Sequence, residues 1–196
     1  IRRVYLVCEK QKWCYIAIQK VAGTSIRYAF LQHVGAPHKE NGNLREELEP
    51  WRLTQVEVLR RQDLYRWGFI RDPRERLVSC WLNKIASDKP DPFCTWRVNQ
   101  FYAMNFNDFV RAVCDTAPEE MDQHFAPQAM FLTYKGLPLY DELFRLNQIQ
   151  TAWKKLQGKY GLPDLPHVNK TKKTDWREHF DSELEKIVLD KYAEDI

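Results

Sequence analysis

Twice in this chain a short apolar run breaks at a polar turn and resumes with helical spacing, and this repeated strand, turn and helix is the strongest constraint on its fold. Between Trp13 and Ile18 the β-formers Trp13, Tyr15, Ile16 and Ile18 make a run that reads as a buried strand. After Gln19-Lys20-Val21-Ala22-Gly23-Thr24, apolar residues recur at Ile26, Ala29, Phe30 and Val34, one face of a helix with Thr24 or Ser25 as N-cap. The second unit runs from a strand at Tyr65–Ile70 through the turn Arg71-Asp72-Pro73 to a helical face of Leu77, Val78, Trp81, Leu82 and Ile85. Pro73 suits a first helical turn, where its missing N–H costs nothing.

The rest of the chain supports the same class. Residues 35–64 are polar, with a short helix expected from Leu53, and residues 86–98 are irregular. A helix is predicted over Phe106–Cys114, strands over Ala129–Tyr134 and Tyr140–Leu146, a helix through Ile149, Ala152, Trp153, Leu156 and Tyr160 ending near Gly161, and a last helix from about Ser182. Strands alternating with helices predict an α/β fold, a P-loop-like and mainly parallel sheet flanked by helices. At 196 residues, a single domain over 1–196 is expected.

Composition narrows the function. A formal net charge of +3, with acids interspersed among the bases, gives no nucleic-acid footprint. Cys8, Cys14, Cys80, Cys94 and Cys114 form no CxxC pair and no zinc spacing, so no metal is expected. The same cysteines favour reduced thiols and a cytoplasmic protein, the alternative being a Golgi-lumen catalytic fragment. No apolar run reaches the roughly 18 to 20 residues of a transmembrane segment.

A turn between a buried strand and a helix N-terminus leaves backbone N–H groups aimed at one spot, a ready site for phosphate or sulfate. Gly23 permits close approach, Thr24 and Ser25 add hydroxyls, and Lys20 adds a charge. The lysine precedes the glycine, so this is not the GxxxxGK[ST] loop of ATP-dependent enzymes. Taken alone, residues 19–25 are equally a well-capped helix start. The second turn adds Arg71, whose planar fork suits a phosphate, and Ser79 two turns into the next helix. Parallel strands open their C-terminal ends on one edge, so two anion sites there match a nucleotide phosphorylated on both sides of its ribose.

Gln19-Lys20-Val21-Ala22-Gly23-Thr24-Ser25 resembles the 5′-phosphosulfate loop of sulfotransferases that use PAPS (3′-phosphoadenosine 5′-phosphosulfate). Phe69-Ile70-Arg71-Asp72-Pro73-Arg74-Glu75-Arg76-Leu77-Val78-Ser79 resembles the 3′-phosphate motif of the membrane-type carbohydrate sulfotransferases, sulfotransferase family 2. Asp122-Gln123-His124-Phe125-Ala126-Pro127-Gln128, Leu165-Pro166-His167-Val168-Asn169-Lys170-Thr171-Lys172 and Tyr192-Ala193-Glu194-Asp195 are similar, in order, to later segments of that family. Gln19 departs from the family's proline and leaves the Lys20 position intact.

The resemblance implies sulfuryl transfer from PAPS, with PAP as product, to an acceptor hydroxyl on a carbohydrate. It implies donor contacts from Lys20, Val21, Ala22, Gly23, Thr24, Ser25, Arg71, Ser79 and Lys170, with Lys20 stabilising the leaving group. His124 is the candidate general base, a role suited to histidine with its ordinary pKa near 6.5. His167, Asp72 and Asp122 are the alternatives. Gln128 is expected to orient the acceptor or His124, or to cap an element. Arg74 and Arg76 read as solvated or ion-paired residues, and Lys89, Trp96 and Arg97 as lining for a sugar. The competing functions are a kinase-like phosphotransferase and a non-catalytic module that binds PAP or glycan.

Overall fold

The computed structural model describes residues 3–36, 38, 42–86, 90, 94–166 and 174–195. In chain order the strands are β1 (Val4–Cys8), β2 (Trp13–Ala17), β3 (Arg52–Leu53), β4 (Tyr65–Ile70), β5 (Thr133–Tyr134), β6 (Leu137–Pro138) and β7 (Glu142–Arg145). The α-helices are α1 (Gly23–His33), α2 (Leu44–Glu47), α3 (Gln55–Arg60), α4 (Pro73–Cys80), α5 (Trp96–Asn99), α6 (Phe106–Asp115), α7 (Ala129–Leu132), α8 (Ile149–Tyr160) and α9 (Ser182–Lys191). The chain forms two compact units, Arg3–Ile70 with Phe131–Lys170, and Arg71–Met130 with Thr171–Ile196.

The first unit holds a five-stranded sheet of order β3-β1-β2-β4-β7. β2 pairs with β4, and β4 with β7, in parallel, whereas β1 runs antiparallel to both β2 and β3. The sheet is therefore mixed rather than mainly parallel. The difference comes from β1, an apolar run outside the two strand–turn–helix units, which closes a hairpin with β2 through Lys12 at φ 57°. Register places Tyr15 beside Trp67 and Phe69 beside Phe144, with ring centroids 4.9 and 5.5 Å apart. On that face Trp13 meets Phe30 of α1, and Trp67 meets Trp153 of α8. Tyr5 faces the other way and donates its hydroxyl to the Phe131 carbonyl at 2.9 Å. Helices thus cover the sheet, and a mixed α/β unit results. Gly161 ends α8 in the left-handed region at φ 67°, as its sequence position implied.

The second unit is helical. α6 buries Phe106, Phe109, Val110 and Val113 on one stripe, and Phe125 closes on Phe101 and Phe109 at 5.5 and 6.0 Å. α4 runs into a π-helical turn, Trp81–Ile85, where one continuous helix was expected. Ala129–Leu132 is a helical turn rather than the start of a strand. Its apolar run carries no period, and the Asp195 carboxylate settles the matter by accepting from the N–H groups of Gln128 and Ala129 at 2.8 and 2.9 Å. No helix among the described residues is long and apolar enough to cross a membrane, and the five cysteines, all of them described, are not joined in disulfides.

Candidate active site

After β2 the chain turns into α1 through Ile18–Ala22, and Lys20 (φ 68°) and Ala22 (φ 59°) take left-handed backbone. Neither is glycine, so each costs on the order of 1 kcal/mol, a strain typical of functional turns. Ala22 is the N-cap of α1 and caps with no side chain. Thr24 and Ser25, expected as caps, instead lie inside the first turn. The cause is the left-handed Ala22, whose carbonyl already accepts from Ile26 N–H at 3.1 Å and so starts the helix early. Ala22 thus offers the first N–H groups of α1 no side-chain cap, and the positive end of the helix dipole lies at this turn. Val21 is fully buried and Ser25 is 6% exposed, while Lys20 and Thr24 are partly exposed. A Cβ on Gly23 would lie 3.1 Å from the Ile18 carbonyl oxygen, closer than a side chain is usually accommodated.

Because β4 runs parallel to β2, the C-terminal ends of both strands lie on one edge of the sheet. The chain leaves β4 at Ile70, and Asp72 caps α4 by accepting from Arg74 N–H at 2.8 Å, with Pro73 in the first turn. Asp72 also pairs with the Arg74 guanidinium at 2.6 Å, so this alternative base is committed to the helix start. Burial works to raise its carboxyl pKa, and the bonds from Arg74 outweigh it, leaving the pKa lowered. Arg74 reaches Glu185 as well and lies 4.3 Å over the Trp176 ring. Arg71 pairs through Nε with Glu75 at 3.2 Å, the ion pair that the spacing of the two residues allows. Ser79 is 5% exposed on α4.

Gln128 turns out to hold backbone. Its side chain accepts from the Arg71 N–H at 3.0 Å and donates to the Arg71 carbonyl at 2.8 Å. Arg76 departs furthest from its sequence reading. It is 1% exposed, and it donates to the carbonyls of Ala126 at 2.6 Å and Gln123 at 3.0 Å. Burial lowers the pKa of its guanidinium, with the charges of Asp195 and Tyr192 acting against that. Tyr192 donates to the Phe125 carbonyl at 2.6 Å. The segment around His124 is thus gripped from both sides by Arg76 and Tyr192, neither of which periodicity or spacing singles out. Arg76→Met takes these donors from the buried Ala126 carbonyl and the half-buried Gln123 carbonyl, and we expect a loss of about 3 kcal/mol. Differential scanning calorimetry should read this as a melting temperature lower by roughly 10 °C. An unchanged melting point would show that the clamp contributes nothing.

Within that segment the His124 ring meets the Asp122 carboxylate, Nδ1 to Oδ1, at 2.6 Å, and its backbone N–H donates to the same oxygen at 3.0 Å. The other Asp122 oxygen accepts from the Thr95 hydroxyl at 2.7 Å, and Asp122 is 5% exposed. Burial pushes this carboxyl up, and the hydrogen bond and charge of His124, with the Thr95 hydroxyl, more than offset it and hold its pKa below the ordinary value. The ionised Asp122 orders Nδ1 as the donor, which leaves Nε2 as the basic atom. Asp122, an alternative base in the sequence, sits behind the imidazole. Next to Thr95, Trp96 is 69% exposed with the Arg97 guanidinium 5.8 Å over its ring. Lys89, His167, Asn169, Lys170, Lys172 and Lys173 lie outside the described residues.

Among the described residues, which leave out 167–173, the sequence segments form a strained turn before α1 with no side-chain cap from Ala22, a capped turn before α4, and a clamped histidine with a buried carboxylate behind it. A family model described as the sulfotransferase family matches residues 3–196. No curated protein and no solved structure matches the chain. With nearly the whole chain covered in that match, the protein belongs to the sulfotransferase family, family 2, whose chemistry is sulfuryl transfer.

Proposed function

We propose that the chain, acting as one catalytic domain, moves the sulfuryl group of PAPS to a hydroxyl of a carbohydrate and releases PAP. The acceptor oxygen forms a bond to sulfur in line, and the bridging oxygen leaves with its electron pair on the 5′-phosphate of PAP. The hydroxyl proton passes to His124 Nε2. Lys20 and the N–H groups that open α1, a P-loop-like turn, stabilise the charge growing on the leaving oxygen. Arg71 and Ser79 take the 3′-phosphate, with Val21, Ala22, Gly23, Thr24, Ser25 and Lys170 completing the donor contacts.

The observation that carries this reading is the hydrogen-bonded His124–Asp122 pair in a chain of the sulfotransferase family. A hydroxyl nucleophile needs a base, and an imidazole backed by a buried carboxylate is one. The parallel pairing of β2 with β4 supports the donor end, since both turns follow strands that end on one sheet edge. The exposed Trp96, adjoining Thr95, supports a sugar as acceptor.

A thermal-shift comparison of PAP, ATP and AMP tests the donor. At about 100 times its dissociation constant PAP stabilises the protein by about 2.7 kcal/mol, or roughly 5–10 °C. AMP and ATP, lacking the 3′-phosphate, give much less. In Arg71→Ala the advantage of PAP over AMP disappears. Equal responses to ATP and PAP in the unaltered protein would remove the 3′-phosphate, and PAPS with it.

A further inference from the structure

Arg27, one turn into α1, has surroundings unlike those of Arg66 and Arg74, which are also partly buried. Its Nε donates to the Gly23 carbonyl at 2.8 Å, and its Nη2 lies 3.4 Å from the point a Cβ on Gly23 would occupy. No carboxylate pairs with it among the described residues. Burial works to lower its pKa, and the groups acting in the other direction are the hydroxyls of Tyr15 and Tyr28. By contrast, Arg66 pairs with Asp141 at 2.6 Å and Arg74 pairs with Asp72 at the same distance.

The position of Arg27 also opposes the helix dipole. α3, α4, α6 and α9 carry an acid in the first turn, as the dipole favours, whereas α1 has none and places a cation close to its positive end. Beside it lies an unsatisfied donor. The Tyr15 hydroxyl is fully buried, has no hydrogen-bond partner among the described residues, and stands 3.8 Å from the same Cβ point on Gly23. A partly buried charge without a counter-ion, placed where the helix dipole adds to its cost, destabilises the free protein. Its location is the turn already read as the anion site.

We propose that Arg27 is a second cation of that site, and that its counter-ion is the oxyanion, sulfate or phosphate, held by residues 19–25. This rests on reading the turn as an anion site but not on the identity of the nucleotide. The charge acts from behind the turn, together with the α1 dipole, and Gly23 keeps the turn close to it: a Cβ there would crowd the Ile18 carbonyl oxygen at 3.1 Å and touch the Arg27 guanidinium at 3.4 Å. The free protein bears the cost of the unpaired charge, and binding of the anion offsets it.

The test is thermal-shift titration of the whole chain with sodium sulfate, ionic strength held constant with chloride, alongside PAP. Arg27→Met keeps most of the volume and removes the charge, whereas Arg27→Lys keeps the charge. We expect Arg27→Met to melt at or above the unaltered protein without ligand while its apparent sulfate dissociation constant rises about tenfold, the effect of one nearby charge at intermediate dielectric. Arg27→Lys should stay within about threefold of the unaltered protein for sulfate. Unchanged sulfate affinity in Arg27→Met overturns the inference and leaves Arg27 a tether for the Gly23 carbonyl. Should Arg27→Met fail to fold, sulfate affinity in Arg27→Gln decides in the same way. A sulfate response in the unaltered protein with no preference for PAP over AMP sinks the PAPS reading and leaves the Arg27 inference standing. No sulfate response at all overturns the inference together with the anion turn.

Discussion

Replacing Lys20 with alanine is expected to lower the rate of sulfuryl transfer about 100- to 1,000-fold, the effect of removing one well-placed stabiliser of a developing oxyanion. PAP affinity, read by thermal shift, should change far less. The asymmetry follows from where charge appears. PAP carries its charge in the ground state, and in the proposed site several groups would hold it, the backbone N–H groups that open α1 among them. The bridging oxygen gains its charge only as the S–O bond breaks, and a group aimed there lowers the barrier more than it tightens binding. The turn holds Lys20 at φ 68°, a strained backbone state of the kind that clusters at functional sites, and this supports such a task for it. Turnover unchanged in Lys20→Ala, measured as PAP released from PAPS, would transfer the role to another group.

The second large effect is expected at His124. His124→Ala should suppress turnover by about 100- to 10,000-fold, the range of general base catalysis, with PAP affinity nearly unaltered. Asp122→Asn separates the two residues. An amide can donate to Nδ1, which inverts the tautomer and buries the lone pair that must take the proton. We therefore expect Asp122→Asn to lose most of the activity while folding normally at neutral pH. Full activity in Asp122→Asn would show that the carboxylate does not order the ring. Stability gives an independent reading of the same carboxylate. Its pKa is lowered in the folded state, so the stabilisation it contributes is complete above the ordinary carboxylate pKa of about 4. It is lost as the pH falls through the lowered value. Acid denaturation of Asp122→Asn should lack that part of the pH dependence.

Much of this was readable without coordinates, because the signals were local. The strand at Tyr65–Ile70 and the helix from Pro73 appear as their residues imply, since an apolar run, a capping aspartate and a first-turn proline lie within a dozen positions of one another. The ends of α6, α8 and α9 follow for the same reason. Expectations failed where the deciding group was distant or left no mark in residue type. The helical turn at Ala129–Leu132 depends on Asp195, far along the chain, and the N-cap of α1 on the left-handed Ala22, whose side chain gives no sign of it. The sheet is mixed because β1 folds back on β2 as an antiparallel hairpin, a pairing that the residue types of Val4–Cys8 do not set by themselves.

The arginines mark the boundary most clearly. Sequence alone determined two strand–turn–helix units, an anion-suited turn and a fork of arginine after the second strand, because these rest on residue type and spacing. It could not distinguish Arg27 from Arg76, each a cation within a helix. The tertiary structure decided that Arg76 is fully buried with the carbonyls of Gln123 and Ala126 as acceptors, whereas Arg27 lies against Gly23 with no carboxylate among the described residues. The physical reason is that the energy of a charge depends on the dipoles and counter-charges around it, and folding gathers these from separate parts of the chain.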